Sequence, residues 1–280
     1  MVDSDGHFAW YELITTDMEA AKAFYTKVMG WDAHDASAPD RAYTLFSSGK
    51  TVVSGLMNLP DDSRKAGGKP FWIGYVRVSD VDAAADRVKR LGGAVYIPPT
   101  DIPDISRFSI FADPQTATLA LLKSLSPDGG PRPEMGAGRI VWNELLAEDW
   151  HAAWAFYSEL FDWQKADVDP GTMGTYQPFS AGGATIGGMR TKPPMIDAPF
   201  WLYYFNIDDI DAAAKRVTAG GGQILDGPLE LSGGVWIVQC ADPQGAMFAL
   251  EGKRRHEPVG YFERVASRGP SDARGRRWSW

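Results

Sequence analysis

The chain has 280 residues, of which 44% are hydrophobic and 23% are charged, a balance typical of a globular protein and not of a disordered or fibrous one. Its formal net charge of −8 argues against a nucleic-acid-binding protein, because phosphate neutralisation needs an excess of clustered Lys and Arg. A single cysteine, Cys240, excludes an intrachain disulfide, and no run of about 18 apolar residues is present to span a membrane. The expected compartment is therefore cytoplasmic, with neither nucleic acid nor membrane as a partner.

The first predicted elements are a strand and a helix. Residues 8–14 form a strand-like run, and Thr16-Asp17-Met18-Glu19 has the pattern of a helix N-cap with a capping box. Short runs separated by turn residues then predict strands at Tyr43–Ser47 and Val52–Leu56. The helix that follows this capping box is predicted to bury the apolar residues that recur at helical spacing, namely Ala21, Phe24, Tyr25 and Val28.

A second strand and helix repeat this order. Residues 71–78 are rich in aromatic and branched side chains, Ser79-Asp80 opens a helix, and Gly92-Gly93 ends it. Another strand is predicted at Phe108–Phe111, so the unit is β-α-β-β-β, used twice in the first half of the chain. The second helix is predicted to bury Val81, Ala84, Ala85, Val88 and Leu91.

The second half of the chain repeats the first. Trp10-Tyr11-Glu12-Leu13 returns as Trp142-Asn143-Glu144-Leu145 at an offset of 132 residues. Ala112-Asp113-Pro114-Gln115 returns as Ala241-Asp242-Pro243-Gln244 at an offset of 129 residues. We therefore predict two domains, 5–125 and 137–253, joined by a linker at 126–136 that is rich in Pro and Gly.

Residues 254–280 are predicted to form a basic C-terminal tail. The stretch 253–280 has eight basic and three acidic side chains, whereas the rest of the chain is strongly acidic. Opposite charges attract over roughly a Debye length of about 8–10 Å. We therefore expect the tail to dock as an arm on the acidic body.

These motifs resemble those of the vicinal oxygen chelate (VOC) superfamily, which includes glyoxalases, bleomycin resistance proteins and extradiol dioxygenases. The resemblance is strongest to its tandem two-domain bacterial branch, related to lactoylglutathione lyase. It rests on the helix sequence that ends in Gly30-Trp31, on the helix start at Asp80 and on the Ala-Asp-Pro-Gln turns, all found in order in each half. The resemblance implies an α+β fold in which two βαβββ modules per domain form an open, eight-stranded, barrel-like sheet around a cavity. It also implies that the domains pair within the chain, which would be a monomer or a homodimer.

Enzymes of this superfamily hold a divalent metal ion with His or Gln from an early strand and Glu from a late strand. Carried over by position, these ligands fall on residues that have no metal-binding atoms, so we expect neither a metal ion nor another cofactor. The positions are Trp10, Ile73 and Ala120 in the first domain and Trp142, Leu202 and Ala249 in the second.

The alternation of strand residues predicts which side chains share the cavity face. Glu12 and Glu144 lie two residues after the tryptophans, and each could act as a general base, bind an amine, or only satisfy a buried hydrogen-bond donor. Tyrosines on that face could bind a ligand or simply fill the sheet. The predicted ligand-binding residues are Trp10, Glu12, Tyr75 and Arg77 in the first domain and Trp142, Glu144, Tyr204 and Asn206 in the second.

Two other clusters have simpler interpretations. Asp208, Asp209 and Asp211 could suggest a cation loop, but they begin a helix, and capping of its positive end is the better interpretation. Cys240 is predicted to begin a final strand, with no histidine at a recognisable catalytic spacing.

Three functions remain open on this basis. The first is a protein that binds a small apolar or aromatic molecule in a cavity without a metal ion. The second is a lyase, isomerase or dioxygenase-type enzyme that uses a non-standard metal site, or Glu12 or Glu144 as a general base. The third is a tandem in which one copy serves only as the packing partner of the other.

Overall fold

The computed structural model describes residues 5–39, 41–125, 138–167 and 176–255. The predicted linker and most of the predicted basic tail lie outside these ranges. Within them, no helix is long and apolar enough to cross a membrane.

The first domain alternates strands with short helices along the chain. Its elements are β1 (Phe8–Thr15), α1 (Met18–Met29), β2 (Asp32–Asp35), β3 (Tyr43–Ser48), β4 (Thr51–Asn58), α2 (Asp61–Lys65), β5 (Phe71–Arg77), α3 (Val81–Arg90), β6 (Ala94–Ile102), β7 (Ser106–Ala112) and β8 (Thr118–Ser124).

The second domain repeats this order, apart from α2. Its elements are β9 (Ile140–Ala147), α4 (Trp150–Phe161), β10 (Gln164–Lys165), β11 (Tyr176–Ala181), β12 (Ala184–Thr191), β13 (Phe200–Ile207), α5 (Ile210–Ala219), β14 (Gln223–Glu230), a 3-10 turn (Ser232–Gly234), β15 (Trp236–Ala241) and β16 (Met247–Gly252).

The four longer helices begin at aspartates, as the motifs predict. Asp17 accepts a hydrogen bond from the Ala20 amide at 3.0 Å, and Asp80, Asp149 and Asp209 cap their helices in the same way. Helix α1 ends at Gly30 in the left-handed conformation (φ 73°), and the equivalent position of α4 is Asp162 (φ 56°). The local sequence therefore determines where these helices start and stop.

Each domain forms one eight-stranded sheet with the same strand order. In the first it is β2-β3-β4-β1-β5-β8-β7-β6, with β1 and β5 antiparallel at the centre and one βαβββ module on each side. The second sheet has the order β10-β11-β12-β9-β13-β16-β15-β14. In both sheets the two end strands do not pair with each other, so each sheet stays open. The prediction of an α+β fold with two tandem domains of this type is confirmed.

The two faces of each sheet have different partners. One face packs against the helices and the other domain and contributes to a single large core shared by both domains, which includes Leu13, Trp72, Leu145 and Trp201. We call the other face the open face. It carries a smaller apolar cluster made only of strand and loop residues, one cluster in each domain.

Two matched chains of hydrogen bonds join the domains through the shared core. The Trp72 indole N–H donates to the Tyr25 hydroxyl at 2.9 Å, and that hydroxyl donates to the Asp242 carboxylate of the second domain at 3.2 Å. The symmetry-related chain runs from Trp201 to Tyr157 (3.2 Å) and from Tyr157 to Asp113 (3.0 Å). Three repeated motifs therefore hold the domains together: Phe24-Tyr25, which returns as Phe156-Tyr157, Phe71-Trp72, which returns as Phe200-Trp201, and the Ala-Asp-Pro-Gln turn.

At the centre of the interface the two copies have become complementary instead of identical. The Tyr203 hydroxyl accepts a hydrogen bond from the Gly74 amide at 2.7 Å, and a side chain at Gly74 would overlap Phe8 and this hydroxyl. Tyr11 donates to the Asn143 amide oxygen at 2.9 Å. Because a large residue in one copy meets a smaller one in the other, this contact fits the pairing of the first domain with the second.

Candidate functional site

The open face of the first domain is built around a buried carboxylate. Glu12 on β1 is only 6% exposed, and both of its oxygens accept hydrogen bonds from phenols. The Tyr43 hydroxyl on β3 donates to Oε1, and the Tyr75 hydroxyl on β5 donates to Oε2 at 2.7 Å. The strand β1 lies between β4 and β5, which is why its side chain reaches tyrosines from both modules.

The second domain repeats this arrangement with one change. Glu144 on β9 is 3% exposed, and the Tyr204 hydroxyl donates to its Oε2 at 2.6 Å, as Tyr75 does to Glu12. Its Oε1, however, accepts from the Arg190 guanidinium at 2.8 Å. Tyr176, the counterpart of Tyr43, accepts from the indole N–H of Trp142 at 2.6 Å, and Tyr43 is likewise hydrogen-bonded to Trp10.

The tyrosines of both sites remain hydrogen-bond donors. Burial, followed by the charge of Glu12, raises the pKa of Tyr75, and burial with the charge of Glu144 raises the pKa of Tyr204. Both phenols are therefore protonated at neutral pH. Each can hold its carboxylate by a charge-assisted hydrogen bond.

Half-buried apolar side chains surround both carboxylates. Trp10 belongs to the same cluster as Tyr75 in the first domain, and Trp142 belongs to the same cluster as Tyr204 in the second. The ring centroids of Tyr75 and Phe108 lie 6.4 Å apart. The other half-buried members are Met57, Phe71, Ile110 and Leu122 in the first domain and Val141, Ile196, Phe200, Ile237 and Met247 in the second.

The predicted site residues are brought together to different degrees. The first domain assembles Trp10, Glu12 and Tyr75, and the second assembles the three equivalent residues. Arg77 and Asn206 are half-buried at the ends of β5 and β13, in register with Leu122 and Glu251 of the neighbouring strands. They lie farther along the sheet than the tyrosines, so their part in a binding site stays a prediction.

Sequence reasoning missed four side chains that complete the two sites. Tyr43 and Tyr176 each begin the third strand of their domain, and Arg190 on β12 reaches Glu144. Gln239 on β15 donates to the Tyr204 hydroxyl at 3.3 Å. Tyr43 and Tyr176 could have been found because each follows a stretch rich in turn residues. The two stretches differ in sequence, however, which obscures the alignment of the two tyrosines.

A glycine makes room for the tyrosine in each domain. Gly55 on β4 lies opposite Glu12, and Gly188 on β12 lies opposite Glu144. A Cβ at Gly55 would overlap the Tyr43 hydroxyl, and one at Gly188 would overlap the Tyr176 ring. Glycine at these positions is therefore required by close packing and not by backbone conformation.

Replacing Gly55 with Ala should displace Tyr43 from Glu12 and lower the free energy of unfolding by about 1–3 kcal/mol, as overpacking of a filled site does. Urea denaturation measures the change. An unfolding midpoint unchanged by Gly55→Ala would show that Tyr43 is not held as described.

The residues of the open faces do not fit the metal ion that the superfamily commonly holds. Trp10, Ile73 and Ala120 share one apolar cluster in the first domain, and Leu202, Trp142 and Ala249 share the equivalent cluster in the second. None of these side chains can ligate a divalent ion. Across the part of the chain that the structure describes, no group of three or more His, Cys, Asp or Glu side chains is arranged to hold one.

Two further features are explained by packing and charge pairing. Asp209 caps α5, while Asp211 pairs with Arg254 at 2.6 Å and Asp208 with Arg255 at 3.7 Å, so the start of the predicted tail contacts this acidic helix end. The rest of the tail lies outside the described residues. Cys240 lies next to the end of β15 instead of beginning the final strand, and burial raises the pKa of its thiol to about 12.

A separate surface cleft of about 690 Å³ lies beside the start of α1 and includes none of the open-face residues. Its lining combines Asp17, Glu19, His34 and Asp35. Asp17 caps the helix, Glu19 pairs with Lys22 at 2.6 Å, and the His34 ring is hydrogen-bonded to the Ser47 hydroxyl at 2.9 Å. These groups already have protein partners, and the open faces remain the better candidate sites.

Sequence comparisons agree with this architecture. The sequence pattern of the Glyoxalase/Bleomycin resistance protein/Dioxygenase superfamily matches residues 6–121 and again residues 139–250. CFP32 of Mycobacterium tuberculosis, whose name proposes a glyoxylase, is 34% identical over 244 residues, which cover 86% of this chain and 92% of CFP32. The anthracycline biosynthesis protein DnrV of Streptomyces peucetius is 29% identical over 264 residues, which cover 90% of this chain and 94% of DnrV.

Solved structures show the same fold. The Mn(II)-bound glyoxalase from Novosphingobium aromaticivorans superposes with a TM-score of 0.64 at 15% identity, covering 90% of this chain and 83% of that one. The 2,3-dioxygenase LapB from Pseudomonas superposes with a TM-score of 0.61 at 11% identity, covering 92% and 96%. With its two matched domains, the chain belongs to the Glyoxalase/Bleomycin resistance protein/Dioxygenase superfamily.

Proposed function

We propose that the protein binds a small apolar or aromatic molecule on its open faces, without a metal ion at the superfamily's usual position. The observation that carries this proposal is the repeated arrangement of one buried carboxylate and its tyrosines inside a border of half-buried aromatic and aliphatic side chains. Sites for small molecules typically combine a mostly apolar lining with a few oriented polar groups. The name of the relative DnrV, which refers to anthracyclines, supports an aromatic ligand.

An enzyme that uses Glu12 or Glu144 as a general base is less well supported. A general base needs a free acceptor atom within hydrogen-bond reach of the substrate proton. Both oxygens of Glu12 already accept from phenols, and those of Glu144 accept from Tyr204 and Arg190. A lyase, isomerase or dioxygenase activity that needs a metal ion is also less well supported, because the side chains at the superfamily's usual metal-ligand positions cannot bind one.

Retention of the site in both domains also bears on the idea of a degenerate partner copy. Trp10, Glu12, Tyr43 and Tyr75 each have a counterpart of the same type in the second domain. Both open faces therefore belong to the proposal. The cytoplasm remains the expected compartment for a separate reason. The one cysteine, Cys240, is buried and forms no disulfide.

Calorimetric titration with neutral fused-ring alcohols, naphthylmethanol and anthracenylmethanol, tests the proposal. We expect binding to the wild-type chain, weakened about tenfold or more when Trp10 and Trp142 are both replaced by Ala, because the flat apolar walls are removed. Tyr96→Ala is the control, since Tyr96 is 59% exposed on β6 and lies outside both clusters. Absence of binding, or equal binding by the double tryptophan variant, would overturn the proposal.

A further inference from the structure

We propose that the open face of the first domain binds a hydrophobic cation, a protonated amine or quaternary ammonium group attached to an apolar or aromatic body, with Glu12 as its counter-charge. This inference rests on the proposed function and names the ligand class of one of its two sites. It follows from a difference in charge between two otherwise matched sites.

The difference lies at one pair of equivalent positions. Met57 on β4 is in register with Tyr43, and Arg190 on β12 is in register with Tyr176, so both side chains project from the same point beside the carboxylate. Arg190 donates to Glu144 at 2.8 Å and neutralises it. Met57 packs into the apolar cluster with Trp10 and brings no charge.

Glu12 is left with hydrogen bonds but without an ion pair. Among the residues that the structure describes, no Lys, Arg or His forms an ion pair with it. Arg41, whose charge acts on Tyr43 and Tyr75, is exposed and lies over the Tyr43 ring, 5.3 Å from the centroid. A buried carboxylate that only neutral phenols hold has no balancing charge in its apolar setting, where a bound cation is strongly favoured.

The surroundings of Glu12 suit an organic cation better than a metal ion. Trp10, Tyr43, Tyr75 and Phe108 are aromatic, and aromatic faces attract ammonium groups through their quadrupoles. A small divalent ion needs several oxygen or nitrogen ligands, which the apolar neighbours Met57 and Leu122 cannot supply. In the second domain Arg190 already occupies the place of such a cation, so that site is expected to prefer neutral ligands.

A matched pair of probes, naphthylmethylamine and naphthylmethanol, separates charge from apolar binding. At neutral pH the amine is protonated, whereas the alcohol has the same ring and no charge. Calorimetry on the full chain should show the amine binding at least about tenfold more tightly than the alcohol. This preference should disappear in Glu12→Gln, which keeps the size of the side chain, and in Met57→Arg, which supplies an internal cation as the second domain does.

Glu19→Gln is the control, because it removes the same charge from an exposed position on α1 and should leave the preference for the amine intact. Circular dichroism checks that each variant is folded. If Glu12→Gln does not fold, the loss of the amine preference is tested with Met57→Arg alone. Equal affinity for amine and alcohol, or a preference that survives Glu12→Gln, would overturn this inference and leave the proposed function standing. Binding of neither probe would contradict the proposed function itself.

Discussion

Replacing Tyr25 or Tyr157 with Phe is expected to lower the free energy of unfolding by about 1–3 kcal/mol for each substitution. Each hydroxyl is fully buried, accepts from a tryptophan N–H and donates to an aspartate of the other domain. Removing it leaves both partners in the shared core with one hydrogen bond fewer. The double variant should be the least stable, because both matched connections between the domains are lost.

Urea denaturation followed by circular dichroism measures these changes. Tyr96→Phe is the matched control, since it removes the same hydroxyl from an exposed ring and should alter stability little. If Tyr25→Phe and Tyr157→Phe unfold at the urea concentration of the wild type, the hydrogen bonds between the domains do not stabilise the protein.

The cost of these substitutions should depend on pH. Burial raises the pKa of Asp113 and of Asp242, so each binds a proton more tightly in the folded protein than in the unfolded chain. The resulting stabilisation is complete below the ordinary carboxyl pKa and is lost as pH rises through the raised pKa. The Tyr157 hydroxyl opposes this loss, because its hydrogen bond stabilises the ionised carboxylate of Asp113. Tyr157→Phe should therefore cost more near pH 7 than near pH 4.

Arg190→Met is the second substitution for which we expect a large effect, a loss of about 3 kcal/mol of unfolding free energy. It leaves Glu144 as a carboxylate that is 3% exposed and has lost its only ion-pair partner among the described residues. Tyr204 keeps its hydrogen bond to Glu144 and limits the damage. Thermal or urea unfolding measures the loss.

Combining Arg190→Met with Glu144→Gln should recover part of the lost stability, because the unpaired charge is removed. Arg107→Met serves as a control for the loss of a surface cation. Arg107 pairs with Asp82 and Asp101, whose carboxylates are well exposed, and such pairs contribute little. A double variant as unstable as Arg190→Met alone would show that charge is not the reason for the effect.

The repeated sequence motifs turn out to describe the interface between the domains more than the sites. Tyr25, Trp72 and Asp113, which lie in duplicated parts of the sequence, pack or bond across the two domains. Duplication placed the same residues in both halves. The tyrosine of each domain donates a hydrogen bond to the aspartate of the other domain. The open faces keep the carboxylate and its tyrosines in both domains and differ where Met57 in the first corresponds to Arg190 in the second.

Much of the fold could be predicted from the sequence because the relevant signals are local. Aspartates before apolar runs marked the helix starts at Asp17, Asp80 and Asp209, and the duplicated motifs revealed the second domain. Strand alternation also grouped Trp10 with Glu12, because adjacent side chains point to opposite faces. The assignment of Cys240 to the final strand was wrong, since the turn at Asp242 follows the strand that contains it.

What the sequence alone determined is thus the tandem superfamily architecture, the starts of the longer helices and the residue types at the inherited metal positions. The tertiary structure decided which groups hold Glu12 and Glu144, and which residues join the domains. Contacts such as Tyr43 with Glu12 or Tyr25 with Asp242 link residues 31 and 217 positions apart. They depend on strand register and domain packing, which no local pattern encodes.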